Sequence, residues 1–471
     1  MKKAIRCIAF LLILGIIIRK TYGVLAWKDT AEEYVSSTQQ LYATNEELVD
    51  VVFLGSSHCY CAIAPDELWG NYGFSAFSMS TSGQDKESTY YLLKETLKNQ
   101  SPKVVCVELW GLTFDEHAIE GNVHRNMLAM ELSQNSVALI EAYVEEEDRQ
   151  TDYILRWPVI HTRYKELDKY DFITNEYSEY GRGLSLSYRI GWSEPPREAL
   201  ECDVIGELTD SNRRWLENLY QLSLEENFEL VLFMAPTDLS IENQMQVNAA
   251  KEFAKVREIP FFDFNRLTEK VGIKYKEDFL DPTHLNGFGA AKLTGYLGKY
   301  IEQEYALCDH RGEEAYYQWE KSYAYYEQGL MAYQLTTAAT FEEYMETLYE
   351  MDNITYVLSL EGDYEKSTLK IEEMLEMFGV TEDTYELGGA YIGSDGEARH
   401  IMTNDSGEIY IYELNESDAF KIWNAESYDQ NTTNLDDILL NLESQGSVYD
   451  GINIVVYDNL RKTVIDKRGY F

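Results

Sequence analysis

The chain has 471 residues, enough for about two to four domains at roughly 100–200 residues each. It is 45% hydrophobic, 26% charged and 13% aromatic, with 37 Tyr, which excludes a disordered polar chain. Against 40 Lys and Arg stand 82 Asp and Glu, a formal net charge of −42. A field of that sign repels phosphate backbones, so it excludes nucleic acid as a main partner, and it disfavours peripheral docking on anionic lipid.

Residues 1–6 (MKKAIR) are basic, residues 7–18 (CIAFLLILGIII) are unbroken apolar, and Arg19 and Lys20 close the run. Twelve helical residues rise only about 18 Å, short of a roughly 30 Å hydrocarbon core. Counted from Ala4 to Trp27 the stretch is long enough if the flanking cations reach to the interfaces. The pattern predicts a signal-anchor over residues 1–27, with the N-terminus cytoplasmic and the body outside the cell; a cleaved signal peptide is the alternative. Residues 28–48 read as a polar stalk helix. The six Cys are Cys7, Cys59, Cys61, Cys106, Cys202 and Cys308; the five beyond the anchor cannot all pair and have no framework spacing, so they read as packing residues.

Residues 51–54 (VVFL), ending at Gly55, have the pattern of a buried parallel strand that feeds a tight turn. A second apolar stretch follows at 74–79, the next buried strand is predicted at 104–109 (VVCVEL), and further strands at 229–234 (ELVLFM) and 260–264 (PFFDF). Helical stretches fall at 88–99, 217–226, 248–257 and 284–304. This alternation predicts an α/β fold, a flavodoxin-like parallel sheet with helices on both faces that binds ligands at the strands' carboxyl ends. The domain spans 49–308, with an insertion at about 115–205 rich in Tyr, Arg and Glu, of the kind that shapes substrate pockets. Residues 309–350 read as a helical linker. From 351 to 471 alternating strands (ITYVLSL, GGAYIG, EIYIYEL, GINIVVYDN) and one helix predict a C-terminal α+β accessory domain.

The chemistry concentrates in three short segments. Phe53-Leu54-Gly55-Ser56-Ser57-His58 puts a Ser on a tight turn after a buried strand, where a hydroxyl is exposed beside free backbone N–H groups. Asp281-Pro282-Thr283-His284 places a His three residues after an Asp, so that the Asp can orient the ring while the ring reaches a nucleophile. Between them, in Ser80-Thr81-Ser82-Gly83-Gln84, Gly83 can present its N–H to a developing oxyanion.

The order of these segments resembles the SGNH (GDSL-type) hydrolase superfamily, in which a G-D-S turn carries the nucleophile, a later Gly serves the oxyanion, and D-x-x-H completes a triad. The resemblance covers roughly residues 45–305. It implies Ser57 as nucleophile, Ser56 standing at the family's Asp position, with His284 as base, Asp281 as orienter, and Ser57 and Gly83 as oxyanion donors. The strings FLGSSH and DPTHLNGFGAAKL are most similar to membrane-anchored members of the alginate O-acetyltransferase type and to the D-alanyl transfer protein of lipoteichoic acid. They imply acyl transfer to a cell-surface glycan or teichoic acid, alongside a membrane-bound O-acyltransferase partner. The sequence departs from the family where an Asn donor is expected: the third strand runs into Glu108-Leu109-Trp110-Gly111, which leaves Gln84, a residue of the insertion, or a two-donor hole as the options. The C-terminal stretch, with G-x-N-x-V-V-x-D at 451–458, resembles the lectin-like domain of interleukin-like epithelial–mesenchymal transition inducers, which implies carbohydrate binding.

Further candidates for substrate contact are His58, Gln84, His161 and Arg163, the last as a clamp for a carboxylate or phosphate. Asp238 follows a strand end and is placed to line the cleft. His124 and Arg125 match no motif with a mechanism. The seven His are scattered without metal-ligand spacing, and no nucleotide loop is present, so neither metal nor cofactor is expected. Three readings follow: an extracytoplasmic serine acyltransferase or esterase on a polysaccharide, D-alanyl transfer to teichoic acid, or a catalytically degenerate glycan-binding scaffold.

Overall fold

The structure, a computed structural model, describes residues 2–26, 37–113, 126–167, 169–172, 181–183, 187–191, 193–361, 364, 367–385, 388–394, 396–403, 409–423, 437–441, 443–444 and 451–471. His124 and Arg125 lie outside them. The chain divides into two compact units, residues 1–323 and 324–471.

In the first unit five strands, β1 (Val51–Gly55), β2 (Ala76–Ser80), β3 (Val104–Glu108), β4 (Glu229–Met234) and β5 (Phe261–Asp263), form a parallel sheet in the order β2-β1-β3-β4-β5. β1, β2 and β3 are buried throughout because both faces are covered, which is why they read as continuous apolar runs. Successive residues serve opposite cores. Val52, Leu54, Val105, Val107 and Leu232 pack with Leu92, Trp215, Leu219 and Val247 from the helices Lys86–Thr96, Asp210–Glu226 and Ile241–Val256. Val51, Phe53, Val104, Cys106 and Val231 pack with Leu68, Leu293 and Leu297 from Pro65–Tyr72 and Gly287–Glu304. The fold class is thus the expected one, a flavodoxin-like sheet with helices on both faces. Its strand order reverses direction between β1 and β3, and the crevice beyond their carboxyl ends is where such sheets bind ligands.

Two helices begin seven residues before the predicted starts. Thr209 and Ser240 cap them by accepting the N–H groups of Asn212 and Asn243, so the polar first turns belong to the helices. Asp281-Pro282-Thr283-His284 lies in a tight hairpin of β6 (Phe279–Asp281) and β7 (His284–Leu285), and the helix predicted from 284 begins at Gly287. Asp281 Oδ1 folds it by accepting the N–H groups of Thr283 (2.8 Å) and His284 (3.0 Å).

At the N-terminus lies the helix Lys2–Leu25, whose stretch Ile5–Leu25 has a mean hydropathy of 2.0 and is long and apolar enough to cross a bilayer, a property shared by anchors and signal sequences.

The second unit contains a five-stranded antiparallel sheet, β10-β9-β8-β15-β16, and a four-stranded one, β11-β12-β13-β14, where β8 is Ile354–Glu361, β9 Gly389–Ser394, β10 Glu397–Met402, β11 Ile409–Glu413, β12 Ala419–Trp423, β13 Asp437–Leu440, β14 Glu443–Ser444, β15 Gly451–Asp458 and β16 Thr463–Tyr470. Tyr356, Leu358 and Ile454 of the larger sheet pack on Phe341, Tyr344 and Leu348 of the helix Phe341–Glu350, so residues read as linker furnish part of this core. Val357, Ile392 and Val455, on the other face, pack on Phe420 and Ile422. Extra antiparallel strands thus follow the parallel sheet, as an α+β domain requires.

Candidate active site

β1 ends at Gly55, and the chain turns at once into the short helix Ser57–Tyr60. Ser56 caps this helix: its Oγ accepts the His58 N–H at 3.3 Å and lies 3.2 Å from His58 Nδ1, and the residue is buried. Ser57 is the serine left half-exposed at the turn. Gly55 is required by close approach, since a Cβ there would meet Glu108 Cβ at 2.7 Å and Cys59 Cβ at 2.8 Å.

Ser57 Oγ lies 2.8 Å from His284 Nε2. On the far side of the ring, Nδ1 lies 3.1 and 3.0 Å from Asp281 Oδ1 and Oδ2. A carboxylate there holds the proton on Nδ1 and leaves Nε2 to accept the Ser57 hydroxyl proton. Burial works to raise the Asp281 carboxyl, but donation from Thr283 and His284 outweighs it and keeps the group below its ordinary value. The hairpin is buttressed from two sides. The Asp238 N–H donates to the Pro282 carbonyl at 3.3 Å, while from the insertion the Gly191 N–H donates to the Phe279 carbonyl at 2.8 Å. The Asp238 side chain itself is exposed.

The Gly83 turn adjoins β1 through the Thr81 N–H, which donates to the Gly55 carbonyl at 3.3 Å. Gly83 has φ +60°, a left-handed conformation that favours glycine. Among the described residues the N–H groups of Ser57 and Gly83 have no hydrogen-bond partner. Gln84 is buried and spent on the turn itself, accepting from Thr81 Oγ1 at 3.0 Å and donating to Thr89 Oγ1 at 3.2 Å.

Two neighbours complete the surroundings. His58 is buried, stacked on Trp110 (centroids 4.0 Å apart) and 4.7 Å from the His284 ring. Burial first, and the adjacent His284 second, hold it well below the ordinary imidazole value, so it is neutral at pH 7. Its Nε2 has no partner among the described residues. Glu108, at the carboxyl end of β3, accepts the Trp110 N–H at 2.9 Å, and its Oε2 would lie 3.2 Å from a Cβ on Gly55. Burial pushes its carboxyl up to about 8, against the backbone N–H groups of Trp110, Ala235 and Leu109. A neutral acid thus stands where an Asn donor was expected. Sequence reasoning missed Trp110 as the ring that orients His58, and Glu108 as a protonated group. The signal available was position, both being at the end of β3 beside the β1 turn.

Arg163 and His161 engage other groups. Arg163 Nη1 donates to the carbonyls of Leu25 (3.0 Å) and Ala26 (2.7 Å) and Nη2 to Asp171 Oδ1 (2.7 Å). The expected clamp on a substrate anion therefore finds no support. His161 is exposed, its Nδ1 2.6 Å from the Pro158 carbonyl.

No family model matches the chain, and no curated protein matches it. Among solved structures it is similar to one from Bacteroides fragilis described as an acylhydrolase, with 14% identity over 59% of this chain and 99% of that one and a TM-score of 0.29. It is also similar to a GDSL-like lipase from Bacteroides thetaiotaomicron, with 13% identity over 57% and 96% and a TM-score of 0.30.

Proposed function

We propose that the chain is a serine acyltransferase or esterase that acts outside the cytoplasm on a cell-surface polysaccharide, held to the membrane by the helix Lys2–Leu25. The observation that carries the chemical part is the 2.8 Å contact between Ser57 Oγ and His284 Nε2, with Asp281 behind the ring. In this reading Ser57 Oγ attacks the acyl carbonyl as its proton passes to His284 Nε2. Asp281 stabilises the imidazolium, and the Ser57 and Gly83 N–H groups receive the oxyanion. His284 then returns the proton to the departing group. The acyl-enzyme passes its acyl group to a sugar hydroxyl, or to water, by the same steps in reverse.

Transfer over hydrolysis, an acetyl group, and a membrane-bound O-acyltransferase as acyl source rest on the resemblance of the FLGSSH and DPTHLNGFGAAKL strings alone. D-alanyl transfer to teichoic acid would use the same residues. The test is time-resolved p-nitrophenol release from p-nitrophenyl acetate by the parent protein, Ser57→Ala and Ser56→Ala. A burst retained in Ser56→Ala and lost in Ser57→Ala supports the reading. A burst that survives in Ser57→Ala, or is absent from the parent, refutes acylation at Ser57 and favours the scaffold.

A further inference from the structure

The end of the N-terminal helix is held by the insertion. Leu25 is buried, while most of the apolar side chains before it are exposed. Tyr22 meets Trp157 edge-on at 6.0 Å, and the helix's last turns touch the short helices His161–Lys165 and Lys169–Phe172. Arg163, buried, ties the carbonyls of Leu25 and Ala26 to Asp171. An arginine at a helix's C-terminal carbonyls satisfies groups that otherwise lack partners and complements the helix dipole. These segments and the end of the preceding helix Glu147–Leu155 expose large apolar side chains: Leu155 is 60% exposed, Tyr164 62% and Phe172 67%.

We propose that residues 155–167 and 169–172 form a collar that lies in the interfacial layer of a lipid bilayer. The proposal rests on the reading of Lys2–Leu25 as a retained membrane anchor. Four observations favour lipid over another protein. The stretch long enough to cross runs from Ile5 to Leu25, about 31 Å of helix against a hydrocarbon core of roughly 30 Å, so the helix end that the collar holds lies at the boundary between acyl chains and headgroups. The collar is thereby held at headgroup height. Its side chains are the aromatic kind enriched in that layer: Tyr22, Trp157 and Tyr164 present apolar bodies with polar tips. From 155 to 172 the bases Arg156, Arg163, Lys165 and Lys169 slightly outnumber the acids Glu166, Asp168 and Asp171, in a chain where acids outnumber bases 82 to 40. Exposed Lys165, with its ammonium 5.7 Å from the Tyr164 ring centre, can extend to headgroups while its stem covers apolar surface. The whole-chain charge works against anionic lipid, and this stretch is a local exception.

The test uses the full chain in phosphatidylcholine vesicles, with Cys7→Ser and Cys308→Ser removing the two exposed thiols. Spin labels are placed singly through Tyr164→Cys, Phe172→Cys, Ile13→Cys and Leu224→Cys, the last an exposed control on Asp210–Glu226. Collision rates with oxygen and with a water-soluble nickel chelate report depth. Labels at 164 and 172 are expected about 5–10 Å below the headgroup boundary, the depth of interfacial apolar groups. The label at 13 is expected deeper and that at 224 in water. If 164 and 172 behave like 224 while 13 is deep, the anchor stands and the collar is refuted, which leaves that face to a protein. If 13 is also in water, the anchor reading has failed and takes the collar with it.

Discussion

Replacing Glu108 by Gln tests whether a neutral acid stands beside the Ser57 turn. In the unfolded chain this carboxyl ionises near 4.5; in the fold burial pushes it up to about 8. Between those values unfolding releases a proton, so the folded state loses about 1.4 kcal/mol for each unit by which pH rises. The stability that the neutral group permits is fully present below about 4.5 and is lost as pH climbs toward about 8. From pH 5 to pH 8 the loss sums to roughly 3–4 kcal/mol. Gln has the size and hydrogen-bonding pattern of the protonated acid but cannot ionise, so in Glu108→Gln this loss is absent. In calorimetry of the full chain in detergent, the two proteins should melt together at pH 5. By pH 8 the parent should melt lower by on the order of 5–10 °C. Every other titrating group is shared, so the growing gap isolates Glu108. Melting points that run parallel from pH 5 to pH 8 would refute the reasoning, because they would mean that Glu108 carries the same charge in both states. Esterase turnover at pH 7 gives a second reading, since Gln should preserve most of it if the neutral form is the working one.

Trp110→Ala removes the ring stacked on His58 and loosens the imidazole 4.7 Å from His284; turnover should fall by up to about 100-fold while stoichiometric acylation of Ser57 persists in a burst assay. Gly55→Ala drives a methyl to within 2.7 Å of Glu108 Cβ and 2.8 Å of Cys59 Cβ, and should cost about 1–3 kcal/mol or more, read as a lowered melting point in the same calorimetry. Asp281→Asn keeps an oxygen for the Thr283 and His284 N–H groups but turns an amide donor toward His284 Nδ1, which selects the wrong tautomer. Turnover should fall by about 10³–10⁴-fold with the fold intact, and an unchanged rate would remove Asp281 from the mechanism.

How much of this was legible in the sequence depended on whether the determinant was local. The β1 turn was legible because four apolar residues followed by Gly-Ser-Ser-His state both the burial of the strand and the break after it. Asp281 and His284 were legible because three residues separate them, and that spacing is itself the hairpin that brings carboxylate and ring together. Arg163 was misread because what it touches, the end of a helix 137 residues earlier, is a tertiary fact that no local pattern carries. Gln84 looked like a free donor beside Gly83 until its bonds to Thr81 and Thr89 showed that it is consumed in shaping the turn. Glu108 was visible as a letter but not as a charge state, because protonation follows from complete burial.

The two buried groups bear on one question, namely which charges the His284 imidazolium meets when it forms. Glu108 neutral and His58 neutral leave Asp281 as the ionised group in direct contact with the ring. A protonated His58 would place a like charge 4.7 Å from the imidazolium and oppose the proposed proton transfer from Ser57. Burial therefore keeps His58 from competing with Asp281, and its depressed value sets the direction of the pH dependence. Above the ordinary imidazole value of 6.5 His58 is neutral in both folded and unfolded chains and costs nothing. As pH falls below it the unfolded chain takes up a proton that the fold refuses, and stability drops. His58→Gln should flatten this acid limb, just as Glu108→Gln flattens the alkaline one. If the acid limb of the parent keeps its slope in His58→Gln, the ring is charged in the fold, and the reading of Asp281 as the unopposed partner of His284 fails with it.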